Sequence, residues 1–254
     1  MDYYVSVPLK GLAADIEFFP AEGFHPEVRM MDAEYLLGMT KADIEASRRL
    51  LDERSLSVFM HGPFFGLDVA SLDSHLSKYS IDCIQKGLEV TAALGGSVMV
   101  IHTAYLPMFS RGGRRHWFRY WGERMPELAR RAQEMGVTLA LENTWEDRPE
   151  VLLHLLEMLP EGSAGICLDT GHMNAFSRLS VGRWWNMLGE RVIALHLHDN
   201  DGLSDDHLIP GRGTFDFGTL MSLVAGSGRT ILFDLEVDRS LAAEGRRYLE
   251  SLRE

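Results

Sequence analysis

The sequence predicts a closed (β/α)8 TIM barrel in which the first helix is short or missing. Short β-branched or apolar runs alternate with longer helical patterns, as in a parallel sheet with crossover helices. Eight such runs can be counted, where an open doubly wound sheet more often has five or six. The length of 254 residues suits one barrel domain spanning 1–254, with no linker or compositional break to divide it.

In order, the expected strands are Tyr3–Val7, Asp15–Phe19, Leu56–Met60, Ser97–His102, Val137–Glu142, Ala164–Asp169, Val192–His196 and Thr230–Glu236. The expected helices are Asp43–Arg54, Asp73–Leu94, Arg115–Met135, Pro149–Leu159, Val181–Leu188, Phe217–Ala225 and Leu241–Leu252. In the second of these, Leu76, Tyr79, Cys83, Lys86, Leu88 and Ala92 form an imperfect apolar stripe at helical spacing. The first crossover is anomalous. Only the seven residues Pro8 to Ala14 separate the first two expected strands, too few for a helix with its loops.

Composition narrows the function. Hydrophobic residues make up 46% of the chain, and no apolar run approaches the roughly 20 residues of a membrane span. Cys83 and Cys167 stand far apart, which predicts a reduced, cytoplasmic setting with both thiols in the core. The net charge of −12 opposes a nucleic-acid partner, since polyanion binders usually present a basic surface.

The chemistry concentrates between Cys167 and Phe217, through CLDTGHMN, LHLHDNDG and DDHLIPGRG. Asp169 with His172, His196 with Asp199, His198 with Asp201, and Asp205 with His207 form four Asp/His pairs timed to strand ends. His and carboxylate together suit a zinc- or manganese-like ion. Strands three to eight end at or beside His61, His102, Glu142, Asp169, His196 and Glu236. Uncompensated polar groups in a barrel mouth are costly, so six in succession predict a site. Glu142 and Glu236 are expected to face one another as acid and base, with His172 close enough to touch substrate oxygen or a second ion.

The motifs HGPF, IHTAY, LENT, DTGHMN, HLHDNDG, DDHLIPGRG and FDLE resemble the xylose isomerase-like TIM barrels, which include sugar-phosphate isomerases, epimerases and endonuclease IV-type nucleases. The resemblance implies one divalent ion, zinc or manganese, held by Glu142, Asp169, His196 and Glu236. It also leaves room for two further zinc ions on His61, His102, His172, Asp205 and His207. The activity expected is isomerisation or epimerisation of a small sugar, polyol or sugar phosphate, with proton transfer through a metal-stabilised enediolate. The alternative is a multinuclear-zinc phosphodiesterase or abasic-site endonuclease.

Arg114, Arg115 and Arg212 are candidate anion contacts on the substrate, with Phe64 on the pocket wall. His198 is expected beside His196 as a substrate contact, an orienting partner or a rival ligand, and Asp199 as a partner that orients a histidine. A homodimer is compatible with everything read here.

Overall fold

The computed structural model describes residues 2–253. Eight parallel strands close into a barrel in sequence order: β1 (Tyr3–Pro8), β2 (His25–Arg29), β3 (Phe59–His61), β4 (Val98–His102), β5 (Thr138–Glu142), β6 (Ala164–Asp169), β7 (Val192–His196) and β8 (Leu232–Leu235). The seam is closed by β1 pairing with β8, Tyr4 opposite Asp234.

Seven strands fall where the sequence places them, and the second does not. Asp15–Phe19 lies in two short helical segments, α1 (Leu12–Asp15) and α2 (Phe18–Glu22). Leu12, Ile16 and Phe19 are buried at helical spacing, which outweighs the apolar density that reads as a strand. Gly23 then ends α2 in the left-handed conformation, φ +68°. The true β2, His-Pro-Glu-Val-Arg, follows directly. The short first helix therefore takes the form of two helical turns before β2.

The remaining layer is α3 (Ala33–Gly38), α4 (Lys41–Glu53), α5 (Ser74–Ala93), α6 (Arg111–Glu134), α7 (Pro149–Glu157), α8 (Thr170–Phe176), α9 (Val181–Leu188), α10 (Phe217–Ser227) and α11 (Ala242–Ser251). Side-chain caps set several starts. Thr40 and Asp43 form a capping box at α4, Asp73 caps α5 and Ser110 caps α6. Trp121 and Trp184 are fully buried on α6 and α9 and fill the space between helix layer and barrel. Among the described residues, no helix is long and apolar enough to cross a membrane.

Inside the barrel, Tyr4, Phe59, Val100, Ala140, Cys167 and Ala194 pack into a separate apolar cluster. Burial pushes the Cys167 thiol far up, so it is inert core. This cluster is the floor on which the site is built.

Candidate metal centre

Side chains two apart on a strand share a face. Two residues beyond Tyr4, Phe59, Val100, Ala140, Cys167 and Ala194 come Ser6, His61, His102, Glu142, Asp169 and His196. One inward column on each strand thus changes from apolar to polar at the C-terminal mouth, where (β/α)8 barrels keep their sites.

Glu142 is the hub. Its Oε2 lies 3.2 Å from His61 Nε2 and 3.1 Å from His102 Nε2, and its Oε1 lies 3.2 Å from His172 Nδ1 and 3.4 Å from His196 Nδ1. Burial pushes the Glu142 carboxyl up, but His102 and His196 outweigh it and hold it well below the usual range. His196 Nδ1 also lies 3.7 Å from Asp169 Oδ2 and 3.5 Å from Glu236 Oε1. Asp169 additionally caps α8 by accepting from the His172 N–H at 2.7 Å, which explains the Asp-Thr-Gly-His run locally.

The loop after β7 brings the rest. Asp205 Oδ2 lies 3.4 Å from His172 Nε2 and 3.2 Å from His207 Nε2. Burial lowers the His207 pKa, yet Asp205 and Glu236 raise it to about 9. His207 sits at φ +50°, a left-handed conformation that costs a non-glycine residue energy. It is held there by donating from Nδ1 to the Glu236 carbonyl at 2.7 Å and by stacking on His198, ring centroids 3.9 Å apart.

These groups suit a divalent cation. Glu142 Oε2, His196 Nδ1, His198 Nδ1 and Asp205 Oδ1 are buried yet lack a hydrogen-bond partner. Their neighbours stand 3.1–3.7 Å away. Ligands on one ion at about 2.0–2.2 Å would be separated by roughly that distance. Donor atoms converge in several overlapping sets, among them His61, His102 and Glu142; Glu142, Asp169 and His196; and His198, Asp205 and His207.

Several expectations need correction. His198 is fully buried, with Nε2 3.1 Å from both Asp169 oxygens. Of the roles expected of it, this contact fits the orienting partner, and its Nδ1 lies 3.7 Å from Asp205 Oδ1. Asp199 does not orient a histidine: it accepts backbone N–H groups from Asn200, Gly211, Gly213 and Phe215 at 2.8–3.1 Å, tying down the loop that carries Asp205 and His207. A Cβ at Gly213 would meet the Asn200 carbonyl at 2.1 Å, so that glycine serves close approach.

The three arginines lie elsewhere. Arg114 donates to the Pro107 carbonyl, Arg212 pairs with Glu244, and Arg115 is exposed. Ser110 starts α6 at Arg111, and helical periodicity then turns Trp117 and Trp121 inward and Arg114 and Arg115 outward. The guanidinium that does approach the cluster is Arg29, with Nη1 3.8 Å from Glu236 Oε1. Phe64 is where it was expected, its ring 4.3 Å from His102 and 5.0 Å from His61.

The profile of the xylose isomerase-like TIM barrel matches residues 14–253. The chain belongs to this family. A Thermus thermophilus protein solved after soaking with zinc chloride shares 30% identity at a TM-score of 0.84, covering 99% of this chain and 98% of that one. A D-tagatose 3-epimerase-like protein superposes with a TM-score of 0.86 at 24% identity, covering 100% and 98%. The fructoselysine 3-epimerase of Escherichia coli O157:H7 is 25% identical over 167 residues, 61% of this chain and 58% of that protein. Matches to curated relatives span 56% to 66% of those relatives' lengths.

Reading only strand ends overlooks polar groups that pack beside these ligand-type residues. Glu27 on β2 reaches His196 Nε2 with Oε1 at 2.9 Å and accepts from Ser6 Oγ with Oε2 at 2.7 Å. Burial opposes ionisation of Glu27, but His196, His61 and Arg29 lower its pKa to about 2. Ser6 Oγ also lies 3.1 Å from Asp234 Oδ2, whose carboxyl is pushed well above its usual range by burial and by Glu27.

Glu146 is a second overlooked acid, 1% exposed, bonded to Thr103 and to the Thr144 N–H at 2.7 Å. Burial pushes its pKa up to about 7. The folded protein therefore prefers the neutral acid, and stability falls as pH rises from about 4.5 to about 7. Glu146→Gln should be more stable than wild type at pH 8 by up to roughly 3 kcal/mol and equal to it at pH 4. Urea unfolding at the two pH values measures this. Asp199→Ala should cost about 3 kcal/mol or more, because it leaves several loop N–H groups without their acceptor; thermal melts together with proteolysis within residues 199–215 check it.

Proposed function

We propose that this chain is a divalent-metal-dependent isomerase or epimerase of a small sugar, polyol or sugar phosphate. The observation that carries the reading is the pair of buried carboxylates, Glu142 and Glu236, each placing one oxygen 3.4–3.5 Å from the same His196 nitrogen. Two carboxylates on one substrate-sized locus can remove a proton from a carbon beside a carbonyl and return it to another carbon or face. The fructoselysine 3-epimerase relative supports this class of chemistry.

Glu142, Asp169, His196 and Glu236 are the residues that would hold the ion, which when bound supplies a Lewis acid to a substrate carbonyl. His172, whose Nε2 lies 3.4 Å from Asp205, would turn that nitrogen to a substrate oxygen. Arg29 beside Glu236 can hold that carboxylate in place or contact a substrate oxygen. Phe64 supplies an apolar wall against the carbon face of a sugar.

A second reading, zinc-dependent phosphodiester hydrolysis, is favoured by one observation: His61 and His102 converge on Glu142 Oε2, forming a donor set beyond the four-residue one. The acidic charge of −12 opposes a polyanionic substrate.

Elemental analysis of protein purified without chelator separates the two. Close to one ion per chain, lost in Glu236→Ala, is expected. Two or three zinc ions, reduced in His61→Ala or His102→Ala, would overturn the isomerase reading in favour of hydrolysis, to be checked on duplex DNA with an abasic analogue. In a screen of ketoses, polyols and their phosphates, Glu236→Gln should lower turnover by about 10²- to 10⁴-fold with a smaller change in KM.

A further inference from the structure

We infer that Glu27 is the positioning residue for His196, presenting Nδ1 of that ring to the ion; the inference rests on the metal reading above. Glu27 is fully buried and both of its oxygens are engaged, one by His196 Nε2 at 2.9 Å and the other by Ser6 Oγ at 2.7 Å. It therefore acts through His196 and does not touch substrate. A ring that donates Nε2–H to a carboxylate keeps the Nδ1 lone pair free, and Nδ1 is the buried atom that faces Glu142, Asp169 and Glu236 without a hydrogen bond.

His198 is anchored likewise, with Nε2 3.1 Å from both oxygens of the Asp169 carboxylate, whereas three other histidines of the cluster are anchored differently. His61, His172 and His207 each direct Nδ1 at a backbone carbonyl, of Gly62, Asn143 and Glu236 respectively, at 2.7–3.0 Å. Only a carboxylate brings a full negative charge to the outer nitrogen, which makes the inner one a stronger donor to a cation. Glu27 gives that charge to His196, whose Nδ1 faces Glu142, Asp169 and Glu236 together. His196 is also wholly enclosed, so no bulk water can replace Glu27 as acceptor.

The test uses zinc alone as the probe, on the full chain. Competition against a chromogenic chelator should show the tightest zinc site weakened about 10- to 100-fold in Glu27→Gln and Glu27→Ala. Glu146→Gln, a buried carboxylate outside the cluster, should stay within about twofold of wild type. On the zinc-loaded wild type, proton–nitrogen correlation spectra with labelled histidine should show His196 protonated on Nε2 only. That signal is identified by its loss in His196→Asn, and the reading needs no Glu27 variant to fold.

Unchanged affinity in a folded Glu27 variant, or a His196 protonated on Nδ1 in the zinc-loaded protein, would overturn the inference alone. A wild-type chain that takes up no zinc would overturn the metal reading, and the inference with it.

Discussion

The Glu142 carboxylate, set among four imidazoles, is the interaction on which the mouth of this barrel depends. His61, His102, His172 and His196 come from four different segments, and each places a nitrogen 3.1–3.4 Å from a Glu142 oxygen. Removing that charge would take away the one acceptor that these four rings share. Buried polar groups of this kind are tolerable only when mutually compensated. The geometry of the mouth is thus fixed by electrostatics as much as by packing.

The apolar floor matters for the same reason. Tyr4, Phe59, Val100, Ala140, Cys167 and Ala194 exclude water beneath the polar layer. A low local dielectric strengthens each attraction above it and raises the cost of any unpaired group. Ionised Glu27 and the suppressed acid of Asp234, both beside the ligand-type residues, show how strongly that environment sorts neighbouring carboxylates into opposite states. Asp199 solves a related problem outside the sheet. By taking up backbone N–H groups it gives an irregular loop some of the constraint of a strand, so that Asp205 and His207 arrive in register with ligands from the barrel.

Much of this was legible in sequence because strand ends are read from short apolar runs, and six of those runs stop at ligand-type residues. The second strand was illegible for physical reasons. Pro26 takes its second position, Glu27 and Arg29 are charged, and the preceding Asp15–Phe19 carries the apolar density a strand is expected to have. Leu12, Ile16 and Phe19 at helical spacing were the signal that could have corrected it. Losing β2 meant losing Glu27 and Arg29. Asp234 and Ser6 were missed because attention to the last residue of a strand overlooks the one a pleat below it. The arginines of α6 were misplaced because a basic-aromatic run looks alike whether its rings point at a ligand or at the core.

Ser6 lies on β1, Glu27 on β2, His196 on β7 and Asp234 on β8, and their hydrogen bonds bridge sequence separations of 21 to 228 residues. The polar network therefore straddles the seam at which the two ends of the sheet meet. A chain holding only β1 to β7 has most of the candidate donors but lacks Asp234 and Glu236. The proposed ion would meet its full donor set only when the seam shuts. Under the metal reading proposed above, uptake of the ion would be coupled to closure of the barrel seam and withheld from incomplete chains.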